Sequence, residues 1–333
     1  MQDKKIIIIT GANGFLGSKL LHILHSTYKV YALVRVLPKK LIPEVEYCSI
    51  DLSSEWEAGK LPQFVDSIIH LAQSDQFREF PEKVIDVFKV NIESTARLLD
   101  YAQKVGAGQF IYASSGGVYE KSSCVLDENS SIAIADKLNY YLGSKLCGEI
   151  LVNSYSTLMQ VVILRPFFMY GTGQNRSMLI PRLVDNIRNR KKIVLQGDKG
   201  IQINPIHIDD ATRAVEAVLG TTSSATYNIS GSDVLSIREI CKIIGEAINV
   251  DPVFEFTDDQ SDNLIGGNNS MIKNLHIPRV KFSDGIKDVL WAWIYLIYII
   301  IPPCWMVPGN WVILLFVLTR LMEIMTIKKR NVY

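Results

Sequence analysis

The sequence predicts an α/β fold built on a doubly wound parallel sheet, and three observations support this prediction. Short apolar runs rich in β-branched residues alternate with amphipathic helical patterns from residue 6 to residue 115. Such alternation is typical of a parallel sheet with helices on both faces. The first run, residues 6–9, consists of four isoleucines followed directly by a glycine-rich turn. The chain of 333 residues is also long enough for one large domain and a smaller second one.

The first strand, turn and helix form the most informative stretch. Gly11, Gly14 and Gly17 follow the isoleucine run, and a helical pattern begins at Phe15. Gly11 permits a tight turn, Gly14 lets the backbone approach a pyrophosphate at the helix N-terminus, and Gly17 allows close packing of helix on strand. An ordinary βα turn is the alternative, but the context predicts a Rossmann-like dinucleotide site. The predicted cofactor contacts here are Gly11, Asn13, Gly14, Phe15, Leu16 and Gly17.

Composition excludes some classes of partner and site. The net charge of +1 provides no general attraction to nucleic acid, and we expect no nucleic-acid partner. The five cysteines are scattered, with no pair at metal-ligand spacing, so we expect reduced thiols in the cytosol and no metal site. The N-terminal apolar run is shorter than the roughly 7–15 residues of a signal-peptide core.

The end of the second predicted strand, residues 30–34, bears on the choice of cofactor. An acidic residue at this point binds the ribose 2′-hydroxyl of NAD, whereas a nearby arginine accommodates the 2′-phosphate of NADP. Arg35 occupies the position, with Lys39 and Lys40 shortly after it. We therefore expect NAD or NADP as cofactor and favour NADP. A solvated basic loop is the alternative interpretation.

Tyr141 and Lys145 are the strongest candidates for catalysis. A predicted helix over residues 136–159 puts them four residues apart on one face. A free tyrosine has a pKa of about 10, too high for a base at neutral pH. A lysine one turn away and an oxidised nicotinamide both favour the phenolate, which can then exchange a proton with a substrate alcohol during hydride transfer. Tyr140 lies about 100° round the helix and is the less suitable base.

The glycine turn and the Tyr-x-x-x-Lys pair together resemble the extended short-chain dehydrogenase/reductase family, of the NAD-dependent epimerase/dehydratase type. The resemblance extends over residues 5–288 and includes the Ser-Ser-x-x-Val-Tyr pattern over residues 114–119. It implies that Ser115 binds the reacting oxygen and that Asn91 faces the active site, so the predicted catalytic residues are Ser115, Tyr141, Lys145 and Asn91. It also implies cofactor contacts at Asp51, Leu52, Leu71, Ala72, Pro166 and Phe167, in addition to Tyr141 and Lys145.

Two departures from the family pattern concern the substrate. Residues 165–171 resemble the family's R-P-F-N-x-Y-G, with Phe168 in place of the asparagine that helps hold a nucleotide sugar. Residues 197–210 resemble a later family stretch, and the arginine that pairs with the diphosphate is replaced by Ile203. An apolar side chain cannot compensate the charge of a diphosphate. Other cations could supply such contacts, or could form a solvated helix face: Arg176, Arg182, Arg188, Arg190, Lys191 and Lys192.

The C-terminal segment is unlike the rest of the chain. From residue 289 to residue 319 there are 31 residues without a charge, six of them Trp or Tyr. About 20 apolar residues span a bilayer, and the prolines at 302, 303 and 308 interrupt this stretch. A membrane hairpin over 289–307 and 311–327 is therefore expected, with a buried dimerisation segment as the alternative. Lysines or arginines on both sides place both ends, and the catalytic domain, on the cytoplasmic face.

These observations predict three regions and a function. We expect a dinucleotide-binding domain over 1–165, a substrate-binding region over 166–288 in which 206–230 packs back on the first domain, and a membrane-associated tail over 289–333. The predicted function is an NAD(P)-dependent epimerase, dehydratase or reductase of a nucleotide sugar, in a homodimer attached to the membrane. Two alternatives remain: an oxidoreductase acting on a hydroxy or keto group of an apolar, sterol- or lipid-linked substrate, and a non-catalytic NADP-binding membrane scaffold.

Overall fold

A seven-stranded parallel sheet forms the centre of the structure. The computed structural model describes residues 4–259 and 262–290. The strands are β1 (Ile6–Thr10), β2 (Lys29–Val34), β3 (Val45–Ser49), β4 (Ser67–His70), β5 (Gln109–Ala113), β6 (Gln160–Pro166), β7 (Met169–Tyr170), β8 (Ile193–Gln196), β9 (Gln202–Ile203), β10 (Ile206–His207), β11 (Ala225–Ile229), β12 (Leu235–Ser236) and β13 (Phe254–Thr257). The central sheet has the order β11-β6-β5-β4-β1-β2-β3, and each neighbouring pair is parallel. The prediction of an α/β fold with a large parallel sheet is confirmed.

Helices cover this sheet and build the remaining part. They are α1 (Phe15–Leu24), α2 (Val84–Phe88), α3 (Ser94–Lys104), α4 (Tyr140–Asn153), α5 (Leu179–Arg188), α6 (Ile208–Val218), α7 (Ile237–Ile248) and α8 (Asn269–Asn274). A further helical stretch occupies 282–290. The other strands form three small pairs: β7 with β10, β8 with β13, and β9 with β12. Met1–Val289 forms one compact unit, so a domain boundary at residue 165 remains a prediction.

The isoleucine run forms the buried central strand that the sequence predicts. Ile7, Ile8 and Ile9 have no exposed surface. Because successive side chains in a strand point to opposite faces, Ile7 and Ile9 join one core cluster, with Leu20 of α1, whereas Ile8 joins the other, with Leu98 of α3. Burial on both faces explains why the run is continuously apolar rather than alternating.

The sheet order reverses at β1, and this reversal determines where a ligand site can form. β1 pairs with β2 on one side and with β4, an element much later in the chain, on the other. Connections leave the two strands in opposite directions, which opens a crevice beyond their carboxyl ends. The glycine turn after β1 and the Leu71–Ala72 backbone after β4 both lie at this crevice.

Two predicted helices differ from those observed. The helical pattern over 82–104 is divided into α2 and α3 by a π-helical turn, Lys89–Glu93, which contains the buried Asn91. The helix predicted over 136–159 is observed as the shorter α4, Tyr140–Asn153. It begins at Tyr140 because the Asn139 side chain accepts a hydrogen bond from the Leu142 amide (2.9 Å) and caps the helix. N-terminal capping by asparagine satisfies an amide that the first helical turn leaves free.

The predicted membrane hairpin lies outside the described residues, except for its first two positions, Val289 and Leu290, which are buried. Within residues 4–259 and 262–290, no helix has both the length and the apolar character needed to cross a bilayer.

A buried polar network joins β1, β4 and α3. His70 is 1% exposed; its Nδ1 lies 2.7 Å from the Thr10 hydroxyl and its Nε2 lies 2.9 Å from the Thr95 hydroxyl. Thr10 accepts a hydrogen bond from the Ala72 amide (3.1 Å), and Thr95 donates to the Asn91 carbonyl (2.8 Å). The Ala72 amide can only donate and the Asn91 carbonyl can only accept. Because Thr95 uses its one hydroxyl proton on that carbonyl, it accepts from Nε2–H of the ring, and Thr10 donates to the unprotonated Nδ1. The network therefore holds His70 neutral, in one tautomer.

This network makes stability depend on pH. Burial, with the nearby Lys145 charge, lowers the pKa of His70 to about 3 from the ordinary 6.5. Between these two pH values the unfolded chain binds a proton that the folded chain does not. The contribution of His70 to stability is therefore fully present above pH 6.5 and is lost as the pH falls below that value. We expect the free energy of unfolding to decline by up to about 1.4 kcal/mol per pH unit on this account.

Urea titrations between pH 7.5 and 5 would measure this slope in the wild type and in His70→Gln. The substitution should flatten it, whereas His22→Gln, at an exposed position of α1, should leave it unchanged. Equal slopes in all three proteins would contradict the assigned role of His70.

Candidate active site

The glycine turn forms a cradle with the geometry that a dinucleotide requires. Gly14 precedes α1 without any side-chain cap, and the first turn of α1 contains no acidic residue. Its free amides, including that of Phe15, and the positive end of the helix dipole are therefore available to an anion. Gly11 has φ +63°, and a Cβ atom there would lie 2.9 Å from the Ala72 backbone. A Cβ atom on Gly17 would overlap the Gly11 carbonyl, so both positions require glycine. These residues fit the pyrophosphate of NAD or NADP.

The residues predicted to surround the rest of the cofactor lie at the same edge. Asn13 Nδ2 donates to the Val36 carbonyl (2.7 Å) and joins the turn to the segment after β2. Leu71 lies beside Gly11 through its backbone and packs partly against the core around α1. Leu16 is buried in that core, and Leu52 packs against the core on the other face of the sheet.

Charged groups near the predicted ribose position already have partners. Arg35 Nη2 lies 2.9 Å from Asp75 Oδ2, with both side chains more than half exposed. This hydrogen bond raises the pKa of Arg35 and lowers that of Asp75. Asp51 accepts hydrogen bonds from the Ser53 amide (2.9 Å) and hydroxyl (2.7 Å), which lower the pKa of its carboxyl. An incoming 2′-phosphate would have to compete with Asp75 for Arg35.

Tyr141 and Lys145 lie on one face of α4, as their spacing predicts. Tyr141 is half-buried, and its hydroxyl donates to Gln73 Oε1 (3.1 Å). Burial raises the pKa of Tyr141 to about 12, and a hydrogen bond with the Ser115 side chain and the positive charge of Arg78 oppose that rise. Lys145 is 2% exposed and donates to the Ala113 carbonyl (2.8 Å). Its pKa is lowered by burial to about 7, against the effect of Glu149.

Ser115 lies where β5 ends and reaches the tyrosine. Its hydroxyl accepts a hydrogen bond from the Gly117 amide (3.1 Å), which caps a short 3₁₀ turn, Gly116–Val118. The same side chain is near enough to the Tyr141 hydroxyl to lower the pKa of that phenol. Ser114, the preceding residue, is buried in the sheet, and its hydroxyl has no partner among the described residues. The structure thus brings together Ser115, Tyr141 and Lys145.

Asn91 lies behind these residues rather than among them. It is 1% exposed, and its Nδ2 donates to Ser144 Oγ (2.8 Å) while its Oδ1 accepts from the Ser74 amide (2.9 Å). Ser144 in turn donates to the Tyr141 carbonyl (2.7 Å). Both amide atoms of Asn91 are therefore used to hold α4 and the segment after β4 in place. This arrangement suits a positioning residue better than a group that contacts the substrate.

The two departures from the family pattern have different surroundings. Ile203 is fully buried in β9, paired with Leu235 of β12. Phe168 is partly buried against Phe167 and Tyr119 and has φ +44°, which is unusual for a bulky residue. Phe167 is 1% exposed and stacks on Tyr119, with ring centroids 6.1 Å apart. Pro166, which ends β6, is partly buried and pairs with Ile229 of β11.

The predicted anion contacts are dispersed. Arg176 pairs with Asp185, with Nε 3.0 Å from the carboxylate. Arg182 and Lys192 line an open cavity of about 490 Å³ between α5, β8 and the start of α7, and the lining does not include Arg188, Arg190 or Lys191. Aliphatic side chains form most of its other walls, including Leu179, Leu183 and Ile237, and Asn186 and Gln196 add polar groups. No cluster of potential metal ligands occurs in the described part of the chain.

Sequence reasoning missed the segment that follows β4. Gln73 bonds the Tyr141 hydroxyl, the Phe77 ring lies 4.8 Å from the Tyr141 ring between centroids, and Arg78 donates to Ser177 Oγ (2.8 Å). These residues belong to no motif that we identified and are far from Tyr141 in sequence. Only their position just after Leu71–Ala72, at the predicted cofactor edge, could have drawn attention to them.

Comparisons with known proteins identify the family of this chain. A family model described as the NAD dependent epimerase/dehydratase family matches residues 7–230. The uncharacterized UDP-glucose epimerase YtcB of Bacillus subtilis (strain 168) is 28% identical over 305 residues, covering 85% of this chain and 96% of that protein. The dTDP-glucose 4,6-dehydratase of Streptomyces griseus is 27% identical over 323 residues, covering 86% and 93%.

Solved structures share the fold. The UDP-glucuronic acid 4-epimerase from Bacillus cereus, in complex with UDP-glucuronic acid and NAD, has a TM-score of 0.77 at 24% identity, covering 88% of this chain and all of that one. The UDP-N-acetylglucosamine 4-epimerase from Methanobrevibacter ruminantium M1 has a TM-score of 0.78 at 19% identity, covering 89% and 100%.

These relatives are named as nucleotide-sugar epimerases and dehydratases, and they support neither the oxidoreductase of apolar substrates nor the non-catalytic scaffold. The family match extends over more than half of the chain. The chain therefore belongs to the NAD-dependent epimerase/dehydratase family and is an enzyme of the extended short-chain dehydrogenase type.

Proposed function

We propose that this enzyme epimerises, dehydrates or reduces a nucleotide sugar with NAD or NADP, using Ser115, Tyr141 and Lys145. The observation that carries the proposal is the convergence of these side chains at the carboxyl edge of the sheet, beside the glycine cradle. The nicotinamide ring, when bound, supplies or accepts a hydride. The protein's own residues then have to bind the sugar and move one proton.

The three side chains divide that work. Tyr141 exchanges the proton with the reacting hydroxyl or keto oxygen, and Ser115 donates a hydrogen bond to the same oxygen. Burial alone keeps the pKa of Tyr141 high, so a nearby positive charge is needed to favour the phenolate. Lys145 supplies that charge from one turn along α4. Asn91 positions the helix that carries both.

The cavity beside α5 supports a nucleotide-sugar substrate. Its largely aliphatic walls suit the flat faces of a base, Asn186 and Gln196 can bond the edge of that base, and Arg182 and Lys192 can pair with phosphate oxygens. They would compensate for the apolar Phe168 and Ile203 at the two positions where the family pattern has polar contacts.

The first prediction concerns the proton. Tyr141→Phe removes only the hydroxyl, so turnover should fall by about 10²–10⁴-fold while cofactor affinity stays nearly unchanged. Lys145→Ala should weaken both, since Lys145 also faces the cofactor ribose in our proposal. Steady-state rates on a panel of UDP- and dTDP-sugars, with cofactor binding measured by fluorescence, would test this. Activity of Tyr141→Phe close to that of the wild type would exclude Tyr141 as the acid–base.

We further propose that Arg35 makes NADP the preferred cofactor. Arg35 stands where an acidic residue would select NAD, and a charge-assisted hydrogen bond to the 2′-phosphate contributes about 1.5–3 kcal/mol. Asp75 opposes this contact, because it already pairs with Arg35.

Titration of both cofactors into three proteins tests this preference. Arg35→Ala should lose affinity for NADP but not for NAD, whereas Asp75→Asn should favour NADP further by releasing the guanidinium. Tighter binding of NAD than of NADP to the wild type would contradict the proposed role of Arg35.

We propose a homodimer as the assembly. Apolar side chains are exposed on two helices that contact each other, Ile85 and Phe88 on α2 and Ile150 on α4. Such faces are common where a second subunit packs. Light scattering that gave a monomeric mass for the cofactor-loaded protein would rule this out.

We also propose attachment to the membrane through residues 289–327, with the catalytic part on the cytoplasmic face. The support is in the sequence: 31 uncharged residues, with basic residues on both sides. Full-length protein should sediment with membranes and require detergent, and a chain truncated near Asp288 should be soluble and still bind cofactor. A full-length protein that is soluble without detergent, together with a truncated one that unfolds, would mean that the segment is internal core or a dimer interface.

In intact vesicles, reagents confined to the cytoplasmic side should modify both Lys287 and Lys328 if the segment is a hairpin. Modification of Lys328 from the far side alone would indicate a single span instead.

A further inference from the structure

The segment between β4 and α2 contacts the tyrosine to which we assign proton transfer. Gln73 Oε1 accepts a hydrogen bond from the Tyr141 hydroxyl at 3.1 Å. The Phe77 ring packs against the Tyr141 ring, with 4.8 Å between centroids and 43° between planes. These contacts join residues more than 60 positions apart in the sequence.

The backbone on both sides of Gln73 is fixed. The Ala72 amide donates to Thr10 Oγ1 (3.1 Å) and the Ser74 amide donates to Asn91 Oδ1 (2.9 Å), and these two acceptors are themselves buried. These anchors fix the backbone from which the Gln73 side chain extends, and this exposed side chain bonds the tyrosine hydroxyl.

The far part of the segment is held to the other side of the site. Arg78 donates to Ser177 Oγ (2.8 Å) and to the Ser177 carbonyl (3.3 Å), in the segment that leads into α5. The Arg78 guanidinium also lies over the Phe77 ring, 4.8 Å from its centroid. Phe77 therefore lies between Arg78 and Tyr141, and the segment runs alongside the tyrosine.

A primary amide suits a partner that alternates between two protonation states. It offers an acceptor oxygen and donor N–H groups, and its terminal torsion has a broad, nearly two-fold energy profile. Tyrosine as a phenol donates to Oε1, as observed. Tyrosine as a phenolate needs donors, and rotation of the amide by half a turn would present Nε2–H to the same oxygen.

We propose that Gln73 is a further catalytic residue, which hydrogen-bonds the Tyr141 oxygen in both of its protonation states. The proton moves only between Tyr141 and the sugar oxygen, and Gln73 neither gains nor loses one. Gln73 then provides the phenolate with a neutral donor while Ser115 stays bonded to the sugar oxygen, and Lys145 and Arg78 provide charge. This inference rests on the proposed function, because it presupposes that Tyr141 transfers the proton.

The test uses full-length protein in detergent, loaded with cofactor, and two readouts. The first is the phenolate absorbance of Tyr141 as a function of pH, obtained as the difference between each protein and the same protein with Tyr141→Phe. The second is the rate at which the bound cofactor is reduced by a panel of UDP- and dTDP-sugars. The variants are Gln73→Leu, which removes the amide, and Gln73→Glu, which places a negative charge there.

Gln73→Leu should raise the phenolate midpoint and slow reduction about tenfold, the loss expected for one hydrogen bond. Gln73→Glu should raise the midpoint further, by about one pH unit or more, because like charges disfavour each other. Gln76→Leu is the matched control, since Gln76 lies in the same segment and bonds only Asp75 through its side chain (3.0 Å). It should leave both readouts unchanged.

Two outcomes would overturn the proposal. Identical phenolate midpoints in the wild type and both Gln73 variants would show that the amide does not act on Tyr141. Faster reduction in Gln73→Leu would show that Gln73 merely occupies the place of the substrate oxygen. If no sugar reduces the cofactor in the wild type, the proposed function fails, while the absorbance titration still decides whether Gln73 acts on the tyrosine.

Discussion

The buried hydrogen bonds of His70 are the interaction on which the site depends. They join the end of β1, the end of β4 and the start of α3, and these three elements carry the glycine turn, the Leu71–Ala72 backbone and Asn91. The Thr10, His70 and Thr95 side chains are all buried, and an unsatisfied polar group there would cost about 1–3 kcal/mol. Because all of these hydrogen bonds must form together, the network fixes the position of the glycine turn relative to Asn91 and, through it, to the catalytic helix.

The catalytic helix shows how the fold tolerates buried charge. Lys145 and Glu149 lie one turn apart on α4, and both are almost fully buried. Glu149 forms a two-point contact with Arg165 of β6, and Arg165 lies over the Tyr119 ring, 4.6 Å from its centroid. Because the carboxylate is already engaged by Arg165, it does not form an ion pair with Lys145, whose ammonium binds a carbonyl instead. The pKa of Lys145 is therefore lowered by burial, whereas a close ion pair with Glu149 would have raised it.

Substrate recognition is where this chain differs most from the family pattern. The buried Ile203 contributes to the core of the small sheet rather than to an anion site, and Phe168 adopts a backbone conformation that asparagine would adopt more readily. An aromatic side chain held at positive φ implies that its surroundings favour it strongly enough to offset the strain. The basic residues at the cavity beside α5, Arg182 and Lys192, lie on other segments than Phe168 and Ile203. A nucleotide sugar bound there would therefore be held by contacts that differ from those of the family pattern.

Local patterns in the sequence were sufficient for the fold class and for the centre of the site. A run of β-branched residues, glycines at fixed spacing and a tyrosine four residues before a lysine each depend on geometry within one or two elements. The sequence alone therefore determined the buried β1, the cradle at Gly11 and Gly17, and the shared face of Tyr141 and Lys145. The resemblance to the family pattern pointed to Ser115, which the structure places at the end of β5.

Only the tertiary structure decided which distant groups meet. Asn91 faces Ser74 and Ser144 because a π-helical turn reorients it, and Gln73 and Arg78 reach Tyr141 and Ser177 across the site. Arg35 is paired with Asp75 for the same reason: the ends of β2 and β4 lie near each other only once β1 has paired with both. Sequence periodicity carries no information about contacts between residues 17 to 99 positions apart. Such contacts arise from the order of strands in the sheet and from the irregular segments that leave it.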